Sequence, residues 1–256
     1  MSGKKPKITG AILLAAGRGA RLKPHTDTVP KPLLPVNGKP TLDLYFESMV
    51  AAGFKDVVLV THHLGELVES YAHQVCERFP IECATVLQPK LDGTASALSC
   101  VIERAKTNAA ESSDDEIIQR MIGSSFLLMA TDYLIPPNFI SDLLAFHESH
   151  DADVSVSLKR VPVEELASRS SARFDEYGRI LEIVEKPAAG TAPSDLAANL
   201  AFVLPATLCS FVAGTPVSAR GEREVQSAIN AFLAQGGTAR GLIQGTPDEW
   251  SPTRNI

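Results

Sequence analysis

ITGAILLAAGRGARLKPHTDTVPKPLLPV, from Ile8 to Val36, is the most informative segment of the sequence. Its apolar run from Ala11 to Ala16 is typical of a central parallel strand, which is buried on both faces of its sheet. In open α/β sheets, ligands bind beyond the carboxyl ends of such strands. The residues that follow this run are therefore candidates for a binding site.

The loop after this strand is rich in glycine, proline and basic residues. Between Gly17 and Lys39 it holds five Lys or Arg residues and one acidic residue, whereas the whole chain carries a net charge of −6. Glycine lets backbone N–H groups approach an anion, and Lys and Arg supply positive charge. The five prolines between Pro24 and Pro40 exclude a long regular helix and indicate a stiff loop. Together these features predict a polyphosphate ligand.

The glycine pattern matches neither of the common phosphate-binding fingerprints. Gly17 and Gly19 lack the third glycine of the dinucleotide fingerprint, because position 22 is Leu. The Gly-Lys-Ser/Thr ending of a P-loop is missing as well. By itself a G-x-G pattern is more typical of a tight turn than of a phosphate site. The interpretation therefore depends on the basic, proline-rich continuation.

Strand-like and helix-like segments alternate along the rest of the chain, which favours a parallel sheet covered by helices. Further strands are predicted at residues 56–61, 81–87, 126–131, 153–159, 179–184 and 197–204. Helices are predicted at residues 41–52, 65–79, 94–106, 137–149 and 222–235. The polar, acidic segment 108–116 is predicted to be a surface loop, and segment 187–195 a mobile connection.

Composition and cysteine usage narrow the class of protein. With 256 residues, 45% of them hydrophobic, the chain is long enough for one large domain. Four scattered cysteines without a C-x-x-C pair favour reduced, buried thiols in a cytoplasmic protein. The sequence has no cleavable signal and no apolar run of about 18 residues, so no membrane partner is expected. The acidic balance argues against general nucleic-acid binding.

The run LAAGRGARLKPHTDTVPKPLLPV, from Leu14 to Val36, resembles the signature of the sugar-1-phosphate nucleotidyltransferases, also called nucleotide-sugar pyrophosphorylases. Later landmarks follow in the family's order: QPKLDGTA from Gln88, Asp132 at a strand end, and EKP from Glu185. The resemblance implies an α/β fold with three Rossmann-like layers around a mixed, mostly parallel sheet. It also implies an enzyme of the glucose-1-phosphate uridylyltransferase or thymidylyltransferase type. Such enzymes form a nucleoside diphosphate sugar and pyrophosphate from a pyrimidine triphosphate and a sugar 1-phosphate.

The resemblance assigns catalytic roles to three charged residues. Arg21 would clamp the β- and γ-phosphates, and Lys31 matches the lysine that bridges the two reacting phosphates. Asp132 matches the aspartate that binds Mg²⁺, which is the implied cofactor. This reaction needs no protein nucleophile, so catalysis consists mainly of positioning and charge neutralisation.

Further residues are implied to bind the two substrates. For the nucleotide these are Leu14, Ala15, Ala16, Gly17, Gly19, Gln88, Gly93 and Thr94. The Gln88 amide would contact a pyrimidine edge, and the Gly93 backbone would approach the ring. For the sugar phosphate they are Glu185, Lys186 and Asn199. Glu185 would bind sugar hydroxyls, and Lys186 the phosphate.

The sequence departs from the family pattern near the metal and the sugar. Thr131 stands where Gly usually precedes the metal-binding Asp, and Leu200 follows Asn199 where Gly is usual. A sugar-lining Gly is replaced around Ser170. Relatives carry a second metal-binding Asp near the carboxyl end. Asp248 is a weak candidate for that role, and water or a substrate oxygen is the alternative.

These departures leave two alternatives open. One is the same chemistry on another acceptor, such as an amino-sugar phosphate, mannose phosphate or phosphocholine. The other is a nucleotide-sugar-binding regulator that has lost turnover. Intact Arg21, Lys31, Asp132 and Lys186 oppose the second alternative.

The domain organisation follows from the same resemblance. Residues 1–256 are expected to form a single nucleotidyltransferase domain without the carboxyl-terminal β-helix of some relatives. Its nucleotide-binding part would extend to about residue 135, and its sugar-binding part would cover residues 136–256. The resemblance also allows a homo-oligomer. His62, His63 and His73 lack a further ligand at metal spacing and are expected to be structural.

Overall fold

The computed structural model of the chain describes residues 7–107, 112–244 and 248–249, the last two as backbone. Its strands are β1 Gly10–Leu14, β2 Pro35–Val36, β3 Lys39–Pro40, β4 Asp56–Thr61, β5 Glu82–Leu87, β6 Phe126–Ala130, β7 Tyr133–Leu134, β8 Val154–Arg160, β9 Ser170–Phe174, β10 Ile180–Glu185, β11 Leu196–Leu204, β12 Ala239–Ile243 and β13 Asp248–Glu249. Its α-helices are α1 Thr41–Ala52, α2 Gly65–Arg78, α3 Thr94–Lys106, α4 Ser113–Ile122, α5 Phe139–Ser149, α6 Cys209–Val212 and α7 Val225–Ala234. Short 3₁₀ helices span Ala20–Leu22, His25–Asp27, Lys31–Leu33, Val163–Ser168 and Ala206–Leu208.

A central sheet joins nine of these strands. Its main path runs β10–β9–β11–β6–β1–β4–β5, and β8 pairs with β11 and β12. Strand β1 is parallel to both neighbours, so Leu14 lies opposite Val60 of β4 and Ala130 of β6. Strand β11 runs antiparallel to β6, β8 and β9. The carboxyl ends of β1, β4 and β6 therefore meet at one edge of the sheet.

Helices cover both faces of this sheet. Because side chains alternate across a strand, Ile12 packs with α3, α4 and α7, whereas Leu13 packs on the other face with α1, α2 and α5. Both side chains are fully buried, and burial of a side chain of this size contributes about 1.5–3 kcal/mol. The predicted three-layer α/β fold around a mixed sheet is confirmed.

Helix α4 corrects the prediction of a surface loop at residues 108–116. Residues 108–111 lie outside the described part, and the helix begins at Ser113. Its N-cap is Ser112, whose hydroxyl oxygen accepts a hydrogen bond from the Asp115 N–H. Acidic residues in the first turn are stabilised by the positive end of the helix dipole. The acidic run is thus a helix start. Asp115 is buried together with Ile118 and Met121, and it pairs with Arg104 of α3 at 2.7 Å.

Other boundaries also differ from the predictions. Strand β1 ends at Leu14, two residues earlier than predicted. Strands β9 and β12 are absent from the predictions. Strand β9 carries Ser170 and Ser171, which are buried with both hydroxyls in hydrogen bonds. Because these residues are polar, the sequence does not indicate a buried strand there. Helix α7 starts at Val225 instead of residue 222, because Glu224 has extended backbone angles.

The cysteines are free thiols, as predicted, but none of them is fully buried. Cys76 is exposed on α2, whereas Cys83, Cys100 and Cys209 are half-buried. The prediction of buried thiols is therefore wrong for Cys76, which is exposed although its thiol forms a hydrogen bond with Cys83 of β5. Within the ranges that the structure describes, no helix has the length and apolar character needed to cross a bilayer.

Candidate active site

A cavity of about 580 Å³ opens at the carboxyl ends of β1 and β6. Its walls include most of the residues that the sequence singles out. They are the three catalytic candidates Arg21, Lys31 and Asp132, the sugar-phosphate candidates Glu185, Lys186 and Asn199, and the nucleotide-binding candidates Leu14, Ala15, Ala16, Gly17, Gln88, Gly93 and Thr94. Gly19 is the nucleotide-binding candidate that does not line the cavity. The fold thus brings together residues that are up to 185 positions apart, from Leu14 to Asn199.

The two glycines of the basic loop have different surroundings. Gly19 has φ +60°, and an added Cβ would lie 2.7 Å from Thr26 Cγ2. Its carbonyl accepts a hydrogen bond of 3.0 Å from the buried Thr26 hydroxyl. Gly17 lines the cavity, and a Cβ there would meet no described atom within 4 Å. Gly19 shapes the loop, whereas Gly17 leaves space at the cavity wall.

A histidine pair after β4 fixes two loops of the cavity. His62 Nδ1 donates to the Gln88 carbonyl at 2.7 Å, and His63 Nε2 donates to the Thr26 carbonyl at 2.9 Å. Among the described residues, no cluster of three or more His, Cys, Asp or Glu residues could hold a metal ion. The contacts of His62 and His63 agree with the structural role predicted for them.

Lys31 and Asp132 meet in the cavity although 101 positions separate them. Lys31 Nζ lies 3.7 Å from Asp132 Oδ2 and donates to the Asp132 carbonyl at 3.5 Å. Asp132 Oδ1 is buried and has no hydrogen-bond partner among the described residues. A carboxylate oxygen in that situation is suited to a cation, because it can only accept or coordinate.

Two residues hold the backbone on either side of Asp132. The Thr131 hydroxyl donates to the Leu14 carbonyl at 3.0 Å, which ties the end of β6 to β1. The Tyr45 hydroxyl donates to the Tyr133 carbonyl at 2.7 Å. Burial raises the pKa of Tyr45 well above its usual value, so this hydroxyl remains a donor. The departure from Gly at Thr131 therefore has a structural explanation.

The predicted base-recognition segment is held by a distant part of the chain. Gln88 is buried, and its Nε2 donates to the Gly93 carbonyl at 3.2 Å. Gly93 has φ +118°, and a Cβ there would lie 2.1 Å from the Arg223 carbonyl oxygen. The Thr94 hydroxyl accepts a hydrogen bond of 2.9 Å from the Val225 N–H. Gly93 thus makes room for the Arg223 backbone at the start of α3.

The sugar-side residues form a second set of contacts. Glu185 Oε2 accepts hydrogen bonds from the Ser170 hydroxyl and, at 3.0 Å, from Gln226 Nε2. Glu185 Oε1 lies 3.7 Å from Lys186 Nζ. Lys186 has φ +46°, a left-handed conformation that costs about 1–3 kcal/mol in a residue other than glycine. The buried Asn199 donates from Nδ2 to the Ser157 hydroxyl at 3.1 Å.

Three cavity residues before and within α7 escape the sequence analysis. They are Glu222, Glu224 and Gln226. Burial, a hydrogen bond with Glu222 and the charge of Glu185 raise the pKa of Glu224, whose carboxylate also accepts from Arg220 at 2.7 Å. Four charged residues between positions 220 and 224 could have indicated a functional segment. The prediction instead assigns residues 222–224 to the start of a helix.

Asp248, the weak second metal candidate, has only its backbone in the described part. Strand β13 runs antiparallel to β7, and Asp248 pairs with Leu134. This pairing brings the Asp248 backbone near the chain that directly follows Asp132. A metal-binding role for Asp248 stays a prediction.

The family of this protein follows from comparison with known proteins. The family model described as nucleotidyl transferase matches residues 10–251, nearly the whole chain. The protein therefore belongs to the nucleotidyl transferase family, and the predicted resemblance and enzyme class are confirmed. Members of this family generally use a divalent metal ion.

Individual relatives support the same assignment. A UTP–glucose-1-phosphate uridylyltransferase of Haloferax volcanii is 27% identical over 228 residues, covering 89% of this chain and 85% of the relative. An enzyme of the same name from Haemophilus influenzae is 26% identical over 243 residues, covering 87% and 82%. The crystal structure of a UDP-glucose pyrophosphorylase complexed with UDP-glucose shares the fold, with a TM-score of 0.75 and 21% identity over 92% of this chain and 91% of that one.

The surroundings of Gly93 and Gly17 predict that an added methyl group destabilises the protein at position 93 and has little effect at position 17. We expect Gly93→Ala to lower the free energy of unfolding by about 2 kcal/mol, because its Cβ collides with the Arg223 backbone. Gly17→Ala should change it by less than about 0.5 kcal/mol. Urea unfolding of both variants measures the difference. Equal stability of the two variants would contradict this packing.

Proposed function

We propose that the protein couples a pyrimidine nucleoside triphosphate, UTP or dTTP, to a sugar 1-phosphate, with glucose 1-phosphate as the leading acceptor. The products are a nucleoside diphosphate sugar and pyrophosphate. The observation that carries this proposal is the cavity itself, which collects Arg21, Lys31, Asp132, Glu185 and Lys186 in its walls. The names of the relatives from Haloferax and Haemophilus support the choice of substrates.

The proposed reaction is a displacement at phosphorus. An oxygen of the sugar phosphate attacks the α-phosphorus, and the bond to the bridging oxygen breaks as pyrophosphate leaves with the electron pair. Negative charge then builds up on the phosphate oxygens, so fixed positive groups lower the barrier. Arg21 would hold the departing phosphates with its planar guanidinium. Lys31 would lie between the reacting phosphates, held in place by Asp132.

The residues around Asp132 fit a magnesium ion. Mg²⁺ commonly binds one or two carboxylates and completes its shell with substrate phosphates and water. Asp132 supplies one carboxylate, with Oδ1 lacking a partner among the described residues, and Asp248 is a predicted second ligand. When bound, the ion would neutralise phosphate charge.

Each substrate would have its own group of residues. Gln88 keeps an amide oxygen and one N–H for a pyrimidine edge after its bond to Gly93. Lys186 would bind the sugar's phosphate, while Glu185 and Asn199 would bind sugar hydroxyls. The division of one domain into a nucleotide part and a sugar part near residue 135, the cytoplasmic location and a homo-oligomer stay predictions.

A pyrophosphate-release assay tests the proposed function. The purified chain is given UTP, dTTP, ATP or GTP, each with glucose 1-phosphate, glucosamine 1-phosphate, mannose 1-phosphate or phosphocholine. We expect the highest kcat/KM for UTP or dTTP with glucose 1-phosphate. Turnover with another acceptor would redirect the proposal to that acceptor. No turnover with any pair, despite tight binding of UDP-glucose, would favour a regulator.

Lys31→Ala separates a role in catalysis from a role in binding. We expect kcat to fall by about 100-fold or more, while the dissociation constant of the triphosphate rises by less than about 10-fold, because Lys31 acts on charge that develops during the reaction. Lys23→Ala is the matched control: Lys23 belongs to the same loop but pairs with Asp27 at 3.0 Å. Equal losses in kcat and affinity would make Lys31 a binding residue.

Asp132→Asn tests the metal assignment. The substitution keeps the shape of the side chain but removes its charge, so Mn²⁺ binding in the presence of nucleotide should weaken by at least about 10-fold. Electron paramagnetic resonance of Mn²⁺ measures this without turnover. Asp27→Asn, in the basic loop, should leave binding unchanged. An unchanged Mn²⁺ titration for Asp132→Asn would remove Asp132 from the metal site.

A further inference from the structure

Gln226 is a cavity residue with an unusual set of hydrogen bonds. Its side chain is buried, with 3% of its surface exposed. Nε2 donates to the Ser170 hydroxyl and to Glu185 Oε2, each at 3.0 Å. Oε1 is buried and has no hydrogen-bond partner among the described residues.

The orientation of this amide is set by Glu185. An ionised carboxylate can only accept hydrogen bonds, so the nitrogen of the Gln226 amide must face it. The oxygen is then left without a partner, and an unsatisfied buried acceptor is costly. A residue that only filled space would avoid this cost, since an apolar side chain of the same shape has no acceptor to satisfy. The two bonds made by Nε2 are therefore what Gln226 contributes.

Ser170 completes the arrangement. Its hydroxyl donates to the same oxygen, Glu185 Oε2, that accepts from Gln226. Oε2 is thereby held in the cavity wall by two donors from the chain. Oε1 lies 3.7 Å from both Lys186 Nζ and Arg220 Nη2 and remains able to accept a hydrogen bond from a ligand. Ser170 lies in the region where the resemblance implies that a sugar-lining Gly is replaced, and its hydroxyl donates to Glu185.

We propose that Gln226 and Ser170 are positioning residues that aim Glu185 Oε1 at one hydroxyl of the sugar 1-phosphate and so set sugar specificity. This inference rests on the proposed function, because it assigns Glu185 to the sugar. The ligand must donate at that point, since a carboxylate oxygen can only accept. The preferred acceptors are sugar 1-phosphates with a free hydroxyl there, and a deoxy analogue is disfavoured.

The specificity of a variant for deoxy sugars tests this role. The best acceptor found in the pyrophosphate assay is compared with its monodeoxy analogues, and kcat/KM is measured for the wild-type chain and for Gln226→Met. For the wild type, we expect kcat/KM to be at least about 10-fold lower with one analogue than with the parent sugar, because a polar site left unpaired rejects its ligand. In Gln226→Met, kcat/KM for the parent sugar and for that analogue should differ by less than about 3-fold. The KM for the triphosphate should stay within about 2-fold of the wild-type value.

Gln244→Met is the matched control. Gln244 also has a buried, unpartnered Oε1 among the described residues, but its Nε2 donates to the Phe139 carbonyl at 2.8 Å, and Gln244 does not belong to the residues that line the cavity. It should keep the wild-type discrimination. Ser170→Ala, a smaller change, should also lower the discrimination between the parent sugar and its deoxy analogue. It provides the test if Gln226→Met does not fold.

Two results would overturn the inference. Full discrimination in both Gln226→Met and Ser170→Ala would show that the amide and the hydroxyl only pack the cavity wall. A wild type that treats every monodeoxy analogue like the parent sugar would show that no hydroxyl is selected. Failure of the proposed function looks different, because the wild type would then release no pyrophosphate with any substrate pair.

Discussion

The parallel pairing of β1 with both β4 and β6 is the constraint on which the site depends. It places Leu14 opposite Ala130, so the chain leaves both strands at the same edge of the sheet. Thr131 strengthens this junction with a hydrogen bond to the Leu14 carbonyl. The loop after β1 and the turn after β6 therefore meet, and Lys31 reaches Asp132. A cation and a carboxylate become neighbours because two buried strands share their direction.

A second constraint joins the two ends of the cavity. Residues 223–226 contact the start of α3 through the Arg223 backbone and reach Glu185 through Gln226. Gly93 allows this approach because it has no Cβ. One short segment thus carries both the packing of the proposed base loop and the orientation of the proposed sugar-binding carboxylate. A shift of this segment would alter both substrate subsites together.

Much of the fold and of the site could be predicted from the sequence, and the failures have physical reasons. The apolar run of β1 and the motif around Lys31 are local signals, so each can be recognised within one short segment of the sequence. The sequence does not indicate helix α4, because its acidic first turn resembles a solvated loop, although those charges suit a helix N-terminus. Gln226 was missed because its partners, Ser170 and Glu185, lie 56 and 41 positions away. Contacts of that range depend on the tertiary fold and leave no spacing pattern.

The anchoring of the nucleotide loops by His62 and His63 has an evolutionary consequence. Both histidines bond to backbone carbonyls, of Gln88 and Thr26, and a carbonyl is present whatever side chain a position carries. With Gln88 in its proposed base-binding role, mutation at position 88 would alter base preference while the loop keeps its attachment to His62 through the main chain. In this part of the molecule, the proposed base selectivity and the anchoring of the loops depend on different groups. The preferred nucleobase could therefore change in evolution without a change in the fold.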